Sequence, residues 1–108
     1  MSSKPVVARE LARRDVEEVA DHYARESGRE VALGFIDALQ AACRAIAARP
    51  AAGSPRYAHE LGLPGLRTWK LKRYPYLVFY VDREDHIDVW RMLHARRDIP
   101  VWMQEPGD

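Results

Sequence analysis

The feature that most constrains the fold is a change in the spacing of apolar residues near the middle of the chain. Before residue 50, apolar residues recur every three or four positions, which is typical of amphipathic helices. After residue 55, they alternate with polar residues, which is typical of strands. Residues 50–55 contain two prolines and one glycine, which interrupt regular structure. The pattern predicts a helical half followed by a strand half.

Two helices are predicted before this segment. Apolar positions at helical spacing indicate a first helix from about Ala12 to Ser27, and Gly28 follows as a left-handed stop. A second apolar stripe predicts a helix from Arg29 to Arg49. Because only a couple of residues connect them, the two helices should form an antiparallel hairpin.

Three strands are predicted after the segment. They run from Leu66 to Lys72, from Tyr76 to Val81 and from His86 to Leu93, and short connections make them an antiparallel meander. The N-terminal residues 4–9 could add an edge strand. The predicted fold class is α+β: an N-terminal strand, an antiparallel helical hairpin, and an antiparallel β-meander packed on the helices. The length of 108 residues suits one domain, 1–108.

The alternation predicts which face of the first strand is solvated. Trp69 and Leu71 lie on one side, while Thr68, Lys70 and Lys72 lie on the other, which suits a strand with one buried face.

Composition limits the classes of function. The formal net charge of +1 argues against a protein that coats polyanions over its whole surface. The charge is uneven, however, because residues 56–97 carry nine basic and five acidic side chains. The strand half is therefore where we expect a target-binding surface.

Cysteine, histidine and hydropathy patterns limit other functions. Cys43 is the only cysteine, so an intramolecular disulfide and a thiolate metal cluster are excluded. The four histidines lack the spacing of metal ligands, and we expect neither a metal nor another cofactor. The longest charge-free apolar stretch, Tyr74 to Val81, is too short to span a membrane. We expect a soluble cytoplasmic protein with no membrane partner.

Three stretches of the strand half carry a resemblance to a known family. They are Leu63-Pro64-Gly65-Leu66-Arg67, then Arg73-Tyr74-Pro75-Tyr76-Leu77-Val78-Phe79-Tyr80, then Val89-Trp90-Arg91-Met92-Leu93-His94-Ala95-Arg96-Arg97-Asp98-Ile99-Pro100. With residues 15–21 and 34–39 of the helices, they resemble ParE-type toxins of the RelE/ParE superfamily of type II toxin-antitoxin modules. The resemblance covers nearly the whole chain and implies a RelE/ParE-like fold.

The resemblance leaves the activity open, because the superfamily contains two kinds of toxin. RelE-like members are small ribonucleases that cut mRNA on the ribosome, whereas ParE-like members are non-enzymatic poisons of DNA gyrase. Lys70 and Lys72 resemble the paired lysines of the ribonucleases, and Arg96 lies where they also place an arginine. Leu77, however, stands where they carry an arginine, and Trp102 lies nearest their catalytic tyrosine.

We therefore expect a ParE-like toxin with no catalytic residues, which inhibits DNA gyrase by binding and is neutralised by a cognate, ParD-like antitoxin. The alternatives are a RelE-like ribosome-dependent mRNA endonuclease and a decayed module that binds its antitoxin but poisons nothing. The residues expected to bind the target are Lys70, Lys72, Arg73, Arg91, His94, Arg96, Arg97 and Trp102.

By the same resemblance, the antitoxin should lay a segment that folds on binding along the hairpin and the sheet edge, in a hetero-oligomer. The residues expected to bind it are Leu33, Ile36, Tyr76 and Tyr80. If Tyr76 and Tyr80 face away from the helices beside Lys70 and Lys72, they would form a basic and aromatic platform.

Several of these residues have a structural alternative. Lys70 and Lys72 could form a solvated strand face that prevents aggregation. Arg91 lies in an apolar strand, where an ion pair with a neighbouring carboxylate is favoured over contact with a target. His94 could be a general base, but a histidine that ends a strand more often satisfies a backbone carbonyl.

Overall fold

The computed structural model describes residues 4–97 and 99–103. Helices and strands follow one another as the sequence predicts, with two additional short α-helices and a 3-10 turn at Pro50–Ala52. The elements are β1 (Val6–Ala8), α1 (Glu10–Glu26), α2 (Arg29–Ala48), α3 (Arg56–Leu61), β2 (Leu66–Lys70), β3 (Tyr76–Asp82), β4 (Ile87–His94) and α4 (Ile99–Met103).

The four strands form one mixed sheet in the order β1-β4-β3-β2. β2, β3 and β4 are antiparallel neighbours, so the predicted meander is confirmed. β1 is the edge strand suggested for the N-terminal residues, and it pairs with β4 in parallel. The predicted α+β class is also confirmed.

The helical hairpin covers one face of this sheet. α1 begins two residues before the predicted start, and α2 ends one residue before the predicted end. Gly28, between the helices, has φ +96°, a backbone conformation that residues with a side chain rarely adopt.

α2 is long and apolar enough to cross a membrane by length and composition. Phe35 and Ile46 of this helix are fully buried in the main core cluster.

The opposite face of the sheet is covered as well, which the sequence analysis did not predict. α3 and α4 pack there around a second apolar cluster that contains Tyr57, Phe79, Leu93 and Ile99. The expectation of a single buried face is therefore wrong. Thr68, predicted on the solvated side, is 7% exposed because it lies on the face that these helices cover.

Residues 50–55 are fixed against the sheet by hydrogen bonds. The Tyr80 hydroxyl donates to the Pro50 carbonyl at 2.6 Å, and Arg67 Nη1 donates to the Gly53 carbonyl at 2.8 Å. Ser54 and Thr68 exchange two backbone hydrogen bonds of 2.9 Å. This turn therefore acts as a partial strand along the outer edge of β2.

Gly53 is required because it lies against the Tyr80 hydroxyl. A Cβ atom on residue 53 would overlap that hydroxyl and would lie 3.0 Å from the Thr68 carbonyl oxygen. We expect Gly53→Ala to lower the free energy of unfolding by about 1–3 kcal/mol through overpacking. Denaturant unfolding of Gly53→Ala, Tyr80→Phe and the double variant provides the check. The loss should be smaller in the Tyr80→Phe background, and equal losses in both would contradict the assignment.

A second set of polar contacts joins Arg9, between β1 and α1, and the β3–β4 turn to β4 through the buried carboxylate of Asp88. Arg9 donates to it from Nε at 3.0 Å and from Nη2 at 2.9 Å, and Arg83 donates at 3.1 Å. The Trp90 indole donates at 3.0 Å, and the Arg9 guanidinium lies 4.3 Å from the centre of its ring. Burial opposes ionisation of Asp88, but the bonds from Arg9, Trp90 and Arg83 together lower its pKa.

Asp88 should therefore make the stability of the fold depend on pH. Because its folded pKa lies below the ordinary value of 3.8, its stabilisation is present above that pH and is lost as the pH falls through the folded pKa. We expect Asp88→Asn to lower the free energy of unfolding by about 1–3 kcal/mol at pH 7, where charged hydrogen bonds are lost. Thermal unfolding measured between pH 7 and pH 2 should show the difference from the parent shrinking in acid. A difference that stays constant would contradict this role.

Candidate partner-binding surfaces

Most of the cationic residues predicted to bind a target lie at one end of the sheet. Lys70, at the end of β2, lies opposite Leu77 on β3, and Leu77 lies opposite Leu93 on β4. His94 ends β4 opposite Tyr76, the first residue of β3. The antiparallel order thus brings the end of β2, the start of β3 and the end of β4 together.

The first group at this end, here called the β2-end patch, consists of Lys70, Lys72 and Arg73. All three side chains are exposed. Arg73 has φ +70°, in the left-handed region, as the chain turns from β2 into β3. The neighbouring Leu71 is 2% exposed in the main core, and its N–H donates to the Tyr76 carbonyl. This anchoring leaves the cations on either side of Leu71 in solvent.

A groove of about 550 Å³ separates the β2-end patch from α2. Its α2 side is formed by small residues, because glycine or alanine occupies each lining position except Asp37. Trp69 and Tyr74 line the opposite side, and the Tyr74 hydroxyl donates to the Val31 carbonyl at 3.1 Å. The groove therefore combines an apolar interior with a rim of three cations and one carboxylate.

The second group, here called the β4-end patch, consists of His94, Arg96, Arg97 and Trp102. The Arg97 guanidinium lies 4.2 Å from the centre of the Trp102 ring, which is a cation–π contact. His94 Nδ1 accepts the Arg96 N–H at 3.0 Å, and the His94 ring meets Tyr76 edge-on at 5.2 Å. His94 thus contacts the backbone, but it accepts an N–H group and does not donate to the backbone carbonyl that was predicted as the alternative to catalysis.

A cleft of about 320 Å³ runs between the β4-end patch and α1. His94, Arg97 and Trp102 line one side, and the α1 side includes Glu18 and His22. Among the described residues, no group of three or more histidine, cysteine or carboxylate side chains could hold a metal ion.

Arg91 does not belong to either patch, which corrects its placement among the target residues. Its side chain is 7% exposed because it lies against the first helix. Arg91 Nε and Nη2 each donate to an oxygen of Asp15 at 2.8 Å. The ion pair considered as its alternative role is therefore confirmed, and Arg91 has almost no surface to offer a target.

The four residues predicted to bind an antitoxin differ in exposure. Leu33 is 50% exposed on α2, whereas Ile36 is partly buried against the main core. Tyr76 is half-buried and contacts Tyr23, with ring centroids 6.4 Å apart. Tyr80 is 0% exposed, so it cannot bind a partner at the surface of this structure.

The basic and aromatic platform proposed from the sequence is therefore wrong. Tyr76 and Tyr80 belong to the main core beneath the helical hairpin, on the same side as Trp69. Lys70 pairs with Leu77, whose side chain contacts the second cluster on the other face. Tyr76 and Tyr80 therefore do not face solvent beside Lys70.

The fold also brings residues that the sequence did not predict to the neighbourhood of the two patches. Asp37, Trp69 and the alanines of α2 form the groove, but each had a simple structural explanation as a helix or strand residue. Asp15, the partner of Arg91, is 76 residues away in sequence. A carboxylate on a mostly polar helix gives no local signal that distinguishes it from its solvated neighbours.

Comparison with known proteins identifies the family. The family model described as "ParE toxin of type II toxin-antitoxin system, parDE" matches residues 6–99. The chain belongs to the ParE toxin family. The resemblance drawn from its sequence is thereby confirmed.

A solved structure supports the fold of this ParE-family chain. It is described as "Chromosomal ParDE TA system from P. aeruginosa" and has a TM-score of 0.70 and 23% sequence identity. The match covers 85% of this chain and 96% of that one. The similarity at this level of identity shows the fold. No curated protein matches the chain.

Proposed function

We propose that this ParE-family chain is the toxin of a type II toxin-antitoxin module and inhibits DNA gyrase by binding, without chemistry of its own. The observation that carries the proposal is the gathering of Lys70, Lys72, Arg73, Arg96, Arg97 and Trp102 at one end of the sheet. In the cytoplasm, a ParD-like antitoxin would neutralise the toxin in a hetero-oligomer.

The composition of this end of the sheet supports binding. Arginine and tryptophan are enriched among the residues that dominate the energy of protein interfaces. Arg97 and Trp102 form such a pair, held together by their cation–π contact. Exposed cations would also speed association with an acidic partner surface.

The side chains between the cations support binding rather than RNA cleavage. Metal-free cleavage needs a group that takes the 2′-hydroxyl proton, a group that protonates the leaving oxygen, and cations near the phosphate. Leu77 contacts the second apolar cluster where the ribonuclease resemblance would place an arginine. Trp102 has no group that titrates near neutral pH, and His94 Nδ1 already accepts the Arg96 N–H.

Two parallel assays with one preparation test the target. Purified chain is added to gyrase with ATP and relaxed DNA, and to ribosomes programmed with mRNA. We expect inhibited supercoiling or trapped DNA breaks, with intact mRNA. Cut mRNA with normal supercoiling would replace the proposal with the RelE-like alternative. No effect in either assay, together with binding to the antitoxin, would indicate the decayed module.

Charge reversal at the β2-end patch tests whether its cations contact gyrase. We expect Lys70→Glu with Lys72→Glu to raise the concentration needed for half-inhibition of supercoiling by about tenfold or more, because two attractive contacts become repulsive. The matched control is Arg25→Glu with Arg29→Glu, which makes the same charge change on exposed residues of the hairpin. Equal inhibition by both double variants would remove the β2-end patch from the target surface.

The groove beside α2 favours an antitoxin segment with apolar side chains flanked by acidic residues. Its interior accepts apolar side chains, and the exposed Leu33 lies on the same helix. The three cations of the β2-end patch favour acidic residues flanking those side chains. A segment that folds on binding can follow such a surface over a long distance.

Filling the groove tests this docking site. Ala41 lines the groove and is exposed, so we expect Ala41→Trp to weaken binding of the antitoxin encoded beside the toxin by about tenfold or more, since shape complementarity is lost. Ala24→Trp, at an exposed position of α1 outside the groove, is the control. Calorimetric titration of each variant gives the affinity. Parent-like binding by Ala41→Trp would exclude the groove as the antitoxin site.

A further inference from the structure

The short helix α4 carries Trp102 but cannot be stable through its own backbone. It spans Ile99–Met103, five residues, whereas isolated helices shorter than about 12–15 residues are marginal in water. The position of Trp102 must therefore be set by contacts with the rest of the fold. Ile99 supplies one such contact, because it is 3% exposed in the second apolar cluster.

Arg91 supplies a polar contact at the other end of α4. Its Nη1 donates to the Trp102 carbonyl at 2.9 Å, and its guanidinium carbon lies 5.8 Å from the centre of the Trp102 ring. Carbonyls near the C-terminus of a helix lack helical partners and carry partial negative charge, so a cation there is favourable. Arg91 thus caps the end of α4 with a charged donor.

Asp15 on α1 fixes the orientation of this cap. Its two carboxylate oxygens accept from Arg91 Nε and Nη2, which holds the planar guanidinium in one orientation and directs Nη1 toward Trp102. Asp15 Oδ2 also accepts the Met92 N–H at 3.0 Å. The pairing of β1 with β4 ends at Val89, so at Met92 a carboxylate accepts the N–H instead of a carbonyl of a neighbouring strand.

We propose that Asp15 and Arg91 form a latch that places α4, and with it Trp102 and Arg97, for contact with the target. Both latch residues are positioning residues, since their side chains are 12% and 7% exposed and do not form the contact surface. The importance of the latch for toxicity depends on the proposed binding function. The latch itself is a property of the fold and is testable without any target.

A positioning role of Asp15 and Arg91 can be distinguished experimentally from a general role in stability. A lysine at position 91 keeps the positive charge beside Asp15, so the carboxylate is not left unpaired. Its single ammonium group lacks the planar fork of the guanidinium and cannot bond both Asp15 oxygens and the Trp102 carbonyl in the same way. Arg91→Lys should therefore release the C-terminal end of α4, which carries Trp102, while the main core and Ile99 in the second cluster stay packed.

The test measures the solvent access of Trp102 and inhibition in the same variants. Acrylamide quenching is recorded with and without Trp102→Phe, so that the difference isolates Trp102 from the other two tryptophans. We expect Arg91→Lys to increase quenching of Trp102 about threefold and to raise the half-inhibitory concentration for supercoiling about tenfold, as for the loss of an anchor residue. Hydrogen exchange of the β3 amides should match the parent.

Arg83→Lys is the matched control, because Arg83 also pairs with a buried aspartate, Asp88, and is absent from both patches. It should leave Trp102 protected and inhibition at the parent level. If Arg91→Lys does not fold, Asp15→Asn replaces it, because asparagine keeps an acceptor for the Met92 N–H while losing the charge that orients Arg91.

The outcomes separate the latch from the proposed target. If Trp102 stays as protected as in the parent, or is released without loss of inhibition, the proposal is overturned. If the parent itself does not inhibit gyrase, the proposed function fails, and the quenching and exchange measurements still decide whether the latch holds α4.

Discussion

The molecule depends on how the two edges of β4 are satisfied. One edge pairs along its length with β3, whereas the described residues that pair with the other edge are the three of β1 and the flanking Pro5 and Arg9. Beyond Val89, the carboxylate of Asp15 accepts the Met92 N–H and so joins α1 to the open part of this edge. A buried charge at that point requires a cation, and Arg91 provides it. One set of polar contacts therefore joins Asp15 of the hairpin, Arg91 of the sheet and the Trp102 carbonyl of α4.

The second constraint is that the sheet is buried on both faces by helices of very different length. α1 and α2 are long enough to bury a wide apolar stripe, whereas α3 and α4 have six and five residues. The short helices depend on buried anchors, Tyr57 and Ile99, and on the hydrogen bonds of the neighbouring turns. With both faces of the sheet closed, the exposed cations of the candidate patches lie at strand ends and in the connecting turns.

The hairpin and the meander could be predicted because each has a period that extends over many residues. α3 and α4 could not, because one or two turns of helix give too few apolar positions to establish a period. Tyr80 packs beneath the helices and Phe79 packs on the opposite face because of the strand register, which alternation alone does not determine. Among the candidate site residues, Arg91 was placed by its charge, and its burial depends on Asp15, a contact 76 residues away.

The position of Leu77 connects this fold to its proposed mode of action. Leu77 lies between Lys70 and Leu93 in the strand register, in the middle of the cationic end of the sheet. An apolar side chain there packs against the second cluster at the end of the sheet that carries the cations. Catalysis on a phosphodiester requires convergent groups within hydrogen-bond reach of one reacting bond. A binding surface requires a packed centre with charges around it, and this is the arrangement that Leu77 supports.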